Sequence, residues 1–225
     1  MTSHFLNYML ERFSKEQTTT EMNDKPIITI SRELGCHANV LAEELAKVLS
    51  KSGQDWKVIN KEILHESAEE LNISPNLIDS ISGGQKKGFF VDIMNGFTEK
   101  FYTNDKNVRN TISRIIQSFA KEGYVIIVGR GAVAVTQNIK NALHIRLTAP
   151  IDFRAKNVNE IRKESIEESK KYTLSIDKKR HILLQYFSSN ISSDQLFDFT
   201  FNAKTISADE IISTIYHLLK SRKLI

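Results

Sequence analysis

Residues 27–49 read IITISRELGCHANVLAEELAKVL and place an apolar run, a loop and a helical pattern one after the other. Residues 27–31 are rich in β-branched side chains and short enough to form a buried strand. Apolar residues then recur at helical spacing: Val40, Leu41, Leu45, Val48 and Leu49. The sequence therefore predicts a strand whose end feeds a loop, SRELGCHAN, that opens a helix.

The same alternation continues along the chain. Further short apolar runs predict strands at 56–60, 124–129, 142–147 and 197–202. Helical stripes lie between or after them, formed by Val108, Ile112, Ile115, Ile116 and Phe119, and by Ile211, Ile212, Ile215, Leu218 and Leu219. Ser207 and Glu210 predict a capping box for the last helix. Strands separated by helices predict an α/β fold with a parallel five-stranded sheet and helices on both faces.

Composition narrows the class of protein. The chain has 225 residues, of which 40% are hydrophobic and 26% charged, so we expect one main domain with smaller insertions. The formal net charge is +4, but acidic residues are interspersed throughout. With no polybasic arm and no stacking motif among its aromatic residues, the sequence favours a phosphorylated small molecule over a specific nucleic acid as partner.

The cysteine count and the hydropathy pattern indicate a compartment. A single cysteine excludes an internal disulfide, which suits a reducing cytosol. No apolar run approaches the roughly 20 residues that cross a bilayer, and the first residues lack the pattern of a secretory signal. We therefore expect a cytoplasmic protein without a membrane partner.

Residues 1–25 predict a helical extension and linker. Apolar side chains at helical spacing, namely Phe5, Leu6, Met9, Leu10 and Phe13, precede the polar run SKEQTTTEMNDK. This helix either packs on its own domain or contacts a partner, which leaves a homodimer as an open alternative.

The loop after the first strand occupies the place of a phosphate-binding loop. In the pattern G-x-x-x-x-G-K-[ST], glycines wrap the phosphates, lysine neutralises them and a hydroxyl holds Mg²⁺. In this register Arg32 and His37 replace the glycines, Ala38 replaces the lysine and Asn39 replaces the hydroxyl residue, while Gly35 lies inside the loop. The motif alone fits either an ordinary turn or an anion site at a helix N-terminus.

Three arginines are candidate phosphate ligands. Arg130 lies between Gly129 and Gly131 directly after a predicted strand, where we expect an exposed side chain with little packing role. It either binds a phosphate or forms a salt bridge with a neighbouring loop. Arg180 either enters the site or lies on a solvated helix face. Arg154 serves the site or covers the end of a strand.

The cysteine, two lysines and the histidines are weaker candidates for functional residues. Cys36 lies beside the predicted helix N-terminus, where a dipole lowers a thiol pKa, or is simply a small loop residue. Lys178 and Lys179 are expected to be solvated. The six histidines show no spacing typical of zinc ligands, so we predict no metal site built from them.

Six segments together resemble one family. They are, in chain order, ITISRELG, VINKEILHESAEELNIS, IIVGRGA, LTAPIDFRAKNV, SIDKKRHILLQYF and FDFTFNAKTIS. In this order and spacing the chain resembles the cytidylate kinase-like family, a branch of the nucleoside monophosphate kinases, from Pro26 to the C-terminus.

The resemblance implies a P-loop kinase-like three-layer fold over 26–225, with an acceptor-binding insertion at 61–105 and a lid region at 150–190. It also implies ATP and Mg²⁺ as cofactors and a nucleotide such as CMP as acceptor. The implied cofactor-binding residues are Ser31, Arg32, Gly35, Cys36, His37, Ala38 and Asn39, and the implied catalytic residues are Arg130, Arg154 and Arg180.

The chain also departs from the family. The family loop ends in G-G-R, whereas this loop ends in His37, Ala38 and Asn39, and Asn60 replaces an acidic residue. Two hypotheses follow. The protein is an ATP-dependent kinase, weakened by the missing lysine, or an inactive nucleotide- or anion-binding regulatory protein with the same fold.

Overall fold

The computed structural model describes residues 25–60, 106–188 and 193–225. Its elements are β1 (Ile27–Arg32), α1 (Ala38–Ser50), β2 (Lys57–Ile59), α2 (Lys106–Glu122), β3 (Val125–Val128), α3 (Ala132–Val135), β4 (Ala142–Thr148), α4 (Ile151–Arg162), α5 (Ile166–Ser188), a 3₁₀ turn (Ser193–Leu196), β5 (Phe199–Asn202) and α6 (Ala208–Ser221). The predicted helix within 1–25 and the insertion at 61–105 lie outside the described residues. The span expected to form a lid, 150–190, contains α4 and α5.

The described strands form one parallel five-stranded sheet in the order β2-β3-β1-β4-β5. β1 lies at its centre, pairing with β3 from Ile27↔Val125 onward and with β4 from Ile27↔Ala142 onward. Each of the five predicted strands is confirmed, and so is the parallel arrangement. Buried parallel strands have apolar side chains on both faces, which is why short continuous apolar runs identify them.

Helices cover both faces of this sheet. Side chains such as Ile28 and Ile30 pack under α1 and α6, whereas Ile27 and Ile127 pack under α2 and α3. All four are fully buried, and a fully buried isoleucine contributes about 1.5–3 kcal/mol relative to an exposed one. The three-layer fold is therefore held by two separate apolar cores.

The three helices predicted within the described residues are present. The capping box of α6 is present, with Ser207 accepting from the Glu210 amide and Glu210 accepting from the Ser207 amide. Val40, however, is 57% exposed, so it lies outside the buried face of α1 although it shares the helical spacing of the other apolar residues. The buried face of α1 is centred on Leu41, Leu45 and Leu49, and Val40 lies about 100° around the helix from Leu41.

A buried polar pair joins β1 to β4. Thr29 Oγ1 lies 2.8 Å from His144 Nδ1, and the His144 amide donates to Asp198 at 2.7 Å. Burial lowers the pKa of His144 below its ordinary value of 6.5, and the nearby Asp198 opposes this shift only in part. The folded protein therefore holds this histidine in its neutral form.

This pair predicts a loss of stability in mild acid. The pKa of His144 is lower in the folded chain than in the unfolded chain, so at a pH between the two values only the unfolded chain binds the proton. The free energy of unfolding therefore falls as the pH drops below about 6.5. A His144→Gln variant should lose this part of the dependence. Urea denaturation of both proteins at pH 7.5 and pH 5.5 measures the difference, and parallel losses in the two proteins would contradict the assignment.

None of the described helices is long and apolar enough to cross a membrane.

Candidate functional site

The chain leaves β1 and its neighbour β4 in opposite directions across the sheet, since β1 leads to β2 at one edge and β4 leads to β5 at the other. In open α/β sheets, ligands bind beyond the carboxyl ends of the strands at such a reversal. The loop 33–37 lies at this place and leads from β1 into α1. Its first amide continues the sheet ladder, since Glu33 N donates to Leu147 O at 3.0 Å.

The loop turns through left-handed backbone. Gly35 has φ +89°, and His37, the N-cap of α1, has φ +50° without a side-chain capping bond. Leu41 N is the first amide of α1 to reach back to the loop, donating to His37 O. Within the described part of the chain, the backbone N–H groups of residues 35–40 have no acceptor. These N–H groups and the N-terminal end of α1 form a concave donor surface suited to an anion.

Side chains of α4 and α5 hold the loop from outside. Arg154 Nε donates to Ala149 O at 2.7 Å, and its Nη1 donates to Leu34 O at 3.2 Å. Arg154 also forms ion pairs with Glu33 at 3.2 Å and with Asp177 at 2.5 Å. Its side chain is only 6% exposed. Two of the three guanidinium nitrogens are thus engaged by the protein, and Arg154 ties the loop to α4 and α5.

Two further contacts complete this clamp. Asp177 Oδ1 accepts from Leu34 N at 2.7 Å, and Asn157 Nδ2 donates to Gly35 O at 2.8 Å. Gly35 also packs directly on α4, since a Cβ there would lie 2.5 Å from the carbonyl oxygen of Arg154. The loop path is therefore fixed by α4 and α5 as well as by its own glycine.

Arg130 is presented by an unusual backbone. Gly129, Arg130 and Gly131 all have positive φ, at 79°, 58° and 70°. The Arg130 side chain is 8% exposed, so the expectation of an exposed arginine was wrong. The tight left-handed turn after β3 aims it inward. The guanidinium of Arg32 lies against Gly129, where any Cβ would overlap with Nη1.

Arg180 reaches the end of β1 from α5. Its Nη1 donates to Arg32 O at 3.3 Å. Burial lowers the pKa of the Arg180 guanidinium below its ordinary value, while the charge of Asp177 opposes that shift. The alternative of a fully solvated helix face does not fit this position.

Two cavities meet at these arginines. The first, termed the inner cavity, has a volume of about 270 Å³ and lies between the ends of β1 and β3 and the helix α5. Its basic lining residues are Arg32, Arg130, Lys179 and Arg180, and no carboxylate lies among the described residues that line it. The second, termed the loop cavity, also measures about 270 Å³ and lies between the loop, α1 and α4. Arg32, Leu34 and Arg180 line both cavities.

The sequence-predicted loop residues divide between these cavities. Gly35, His37, Ala38 and Asn39 line the loop cavity, whereas Ser31 lines the inner cavity. Most residues of the predicted nucleotide loop therefore line one cavity. Arg32 lines both cavities and separates this group from Ser31.

Of the predicted loop residues, Cys36 lines neither cavity. Its side chain is 5% exposed and belongs to the core under α1. Burial raises the pKa of the thiol to about 11, so a helix dipole does not make this cysteine reactive. Any contact with a ligand at this position would come from its backbone N–H.

Sequence reasoning missed several residues of the site. Lys179 was expected to be solvated but lines the inner cavity. Glu33, Asn157 and Asp177 were not singled out, although all three contact the loop or its clamp. For Asp177 the available signal was its place three residues before Arg180 in the lid segment.

The two expected cofactors fit to different degrees. The open N–H groups of 35–40 and the shared arginines suit the phosphates of ATP. Among the described residues, however, no group of three His, Cys, Asp or Glu side chains is arranged to hold a metal. Glu33 Oε2, which faces the same loop, already receives Ala149 N at 3.1 Å and Arg154 Nε. A Mg²⁺ ion would thus depend on nucleotide phosphates and water for its ligands.

Comparisons with known proteins agree with this architecture. The model of the cytidylate kinase-like family matches residues 27–205. An uncharacterized protein from Eubacterium ventriosum has a similar structure, with a TM-score of 0.63 and 18% identity over 88% of this chain and 99% of the other. Shikimate kinase from Bacteroides thetaiotaomicron gives a TM-score of 0.49 and 14% identity over 87% and 98%. No curated protein sequence matches the chain.

Proposed function

Because the chain belongs to the cytidylate kinase-like family, we propose that it transfers a phosphoryl group from ATP to a nucleoside monophosphate such as CMP. The observation that carries this proposal is the inner cavity, which has four basic side chains and no carboxylate among the described residues lining it. A cavity of this charge favours a phosphorylated ligand over a neutral or cationic one.

The junction of the two cavities supports transfer between them. Phosphoryl transfer is catalysed mainly by positioning and by positive charge around the transferring group. ATP phosphates would lie on the N–H groups of the loop cavity and the acceptor phosphate would lie in the inner cavity. Arg32 and Arg180 line both, so they are the cations that would face the transferring group.

The remaining residues have distinct roles in this proposal. Arg130 would hold the acceptor phosphate, because its backbone turn directs it into the inner cavity and away from the loop cavity. Lys179 would add charge to the same phosphate. Mg²⁺, when bound with ATP, would neutralise phosphate oxygens. The nucleotide ligand and the single cysteine both suit a cytoplasmic location.

A second function is favoured by one observation. Ala38 stands where a phosphate loop has lysine, and it is only 4% exposed, so this position supplies no charge to the loop cavity. An inactive protein that binds a nucleotide or another anion and regulates a partner would fit the same geometry. Activity measurements separate the two functions.

The test is a panel of nucleotides. Thermal unfolding of the whole chain is measured with ATP or GTP in combination with each nucleoside monophosphate, and turnover is followed by product analysis in the same mixtures. A ligand that binds only the folded protein raises the midpoint by mass action. Stabilisation with turnover supports the kinase, stabilisation without turnover supports the regulatory protein, and no stabilisation contradicts both.

We expect Arg130→Ala to lower the affinity for the acceptor monophosphate specifically. Removing this guanidinium should weaken binding of the accepted monophosphate by about 1.5–3 kcal/mol, the range for charge-assisted hydrogen bonds. ATP affinity should change far less, because Arg130 does not line the loop cavity. Calorimetric titration measures both affinities.

Lys178→Ala is the matched control. Lys178 lies on α5 beside the cavity residues but is exposed, so its removal subtracts one charge without touching the inner cavity. Equal acceptor binding by Arg130→Ala and the wild type would exclude Arg130 as the phosphate ligand.

A further inference from the structure

Asp177 is a polar side chain of α5 that contacts the loop. Its two carboxylate oxygens are used separately, one by Leu34 N at 2.7 Å and the other by Arg154 Nη1 at 2.5 Å. The side chain is 18% exposed and lines neither cavity. It therefore contacts the loop from behind, without facing the space that a ligand would occupy.

The position of Asp177 on α5 connects it to Arg180. Residues three apart lie on the same face of a helix, so a helix fixed at Asp177 also presents Arg180 toward the loop. Toward the described residues, Arg180 itself makes a long hydrogen bond, 3.3 Å, to Arg32 O. The two shorter, charge-assisted contacts of Asp177 are better able to fix the register of α5 against β1 and its loop.

We propose that Asp177 is a positioning residue that anchors α5 on the loop and so places Arg180 at the junction of the two cavities. This inference rests on the proposed function only in that the junction binds phosphate. It assigns no contact between Asp177 and the ligand. The carboxylate acts through Leu34 and Arg154 on one side and through the helix on the other.

A positioning role for Asp177 and simple electrostatics predict opposite effects of its removal on anion binding. Removing a carboxylate near an anion site should strengthen anion binding if charge alone matters. If Asp177 positions Arg180, the same removal weakens binding. Asp177→Asn tests the two effects together, and Asp177→Glu keeps the charge but lengthens the side chain, so it tests position alone.

Pyrophosphate binding is the suitable readout because it requires no turnover. Calorimetric titrations in metal-free buffer compare the wild type, Asp177→Asn, Asp177→Glu, Arg180→Met and the double variant Asp177→Asn with Arg180→Met. We expect each single variant to bind pyrophosphate about 10-fold more weakly, and the double variant to be no weaker than Arg180→Met, because interacting residues are not additive.

Asp152→Asn is the control for a lost acid in the lid region. Asp152 pairs with Lys170 of α5 at 2.8 Å but is 72% exposed and does not contact the loop, so pyrophosphate affinity should stay at the wild-type value. Thermal unfolding of each variant shows that it is folded at the titration temperature. Should Asp177→Asn not fold, Asp177→Glu retains the Arg154 counter-charge and decides the question.

Three outcomes would overturn the inference. These are tighter or equal binding by both Asp177 variants, losses that multiply in the double variant, and no pyrophosphate binding by the wild type. Pyrophosphate binding with the expected pattern but no transfer from ATP would leave the inference standing and contradict only the proposed kinase activity.

Discussion

Gly35→Ala is expected to destabilise the protein by about 3 kcal/mol or more. The residue has φ +89°, which L-residues rarely adopt, and a Cβ would lie 2.5 Å from Arg154 O and 2.9 Å from Arg154 Cα. Both neighbours are backbone atoms of α4, so relief requires the loop and the helix to move apart. Urea denaturation of wild type and variant measures the loss.

Gly53→Ala supplies the control. Gly53 also has a positive φ, +100°, but nothing lies within 4 Å of its added Cβ. This variant should lose only the backbone preference, about 1 kcal/mol. The difference between the two variants then measures the contact with α4. Equal losses would mean that the loop and α4 separate at little cost.

Ala38→Lys combined with Asn39→Ser should raise phosphoryl transfer on the order of 10² to 10³-fold. The two changes restore the lysine and the hydroxyl of a phosphate loop at the start of α1. Ala38 is buried but lines the loop cavity, so a lysine stem can lie along the core while its amino group enters the cavity. ATP affinity and steady-state turnover measure the effect.

Ala38→Met with Asn39→Ser matches the length of the new side chain without its charge. Only the lysine variant should gain ATP affinity, and thermal unfolding of both variants reports any overpacking of the core. Our account of the loop is wrong if the lysine variant binds ATP no better. It is also wrong if the natural protein already turns over at about 1–100 per second, the usual range of kinases.

Much of the fold was predictable because each strand has its own local signal. The runs in β1 and β3 are apolar and β-branched on both faces, as buried parallel strands require. The capping box of α6 lies within four consecutive residues and needs no tertiary contact. Val40 shares the helical spacing but is exposed, because a periodic pattern does not fix the edge of the buried face of a helix to within one residue.

The candidate site was less predictable because its contacts join distant parts of the chain. Asp177 and Leu34 are 143 positions apart, and nothing local to either residue indicates the other. Arg154 was recognised as a candidate, but only the fold shows that its Nε and Nη1 are used within the clamp. For Cys36 the local sequence is misleading. Its place beside a helix N-terminus suggests a lowered thiol pKa, but burial raises that pKa.

The central place of β1 has a consequence for biosynthesis. Both strands that flank β1 come from later in the chain. Thr29 of β1 contacts His144, which lies 115 positions further along the sequence. At roughly 5–20 residues per second, a ribosome needs roughly 6–23 s to make that interval. Until β3 and then β4 have been made, the edges of β1 lack these partners, and exposed edges of this kind promote aggregation. The yield of soluble protein should therefore depend on chaperones and on the temperature of expression as well as on the stability of the finished fold.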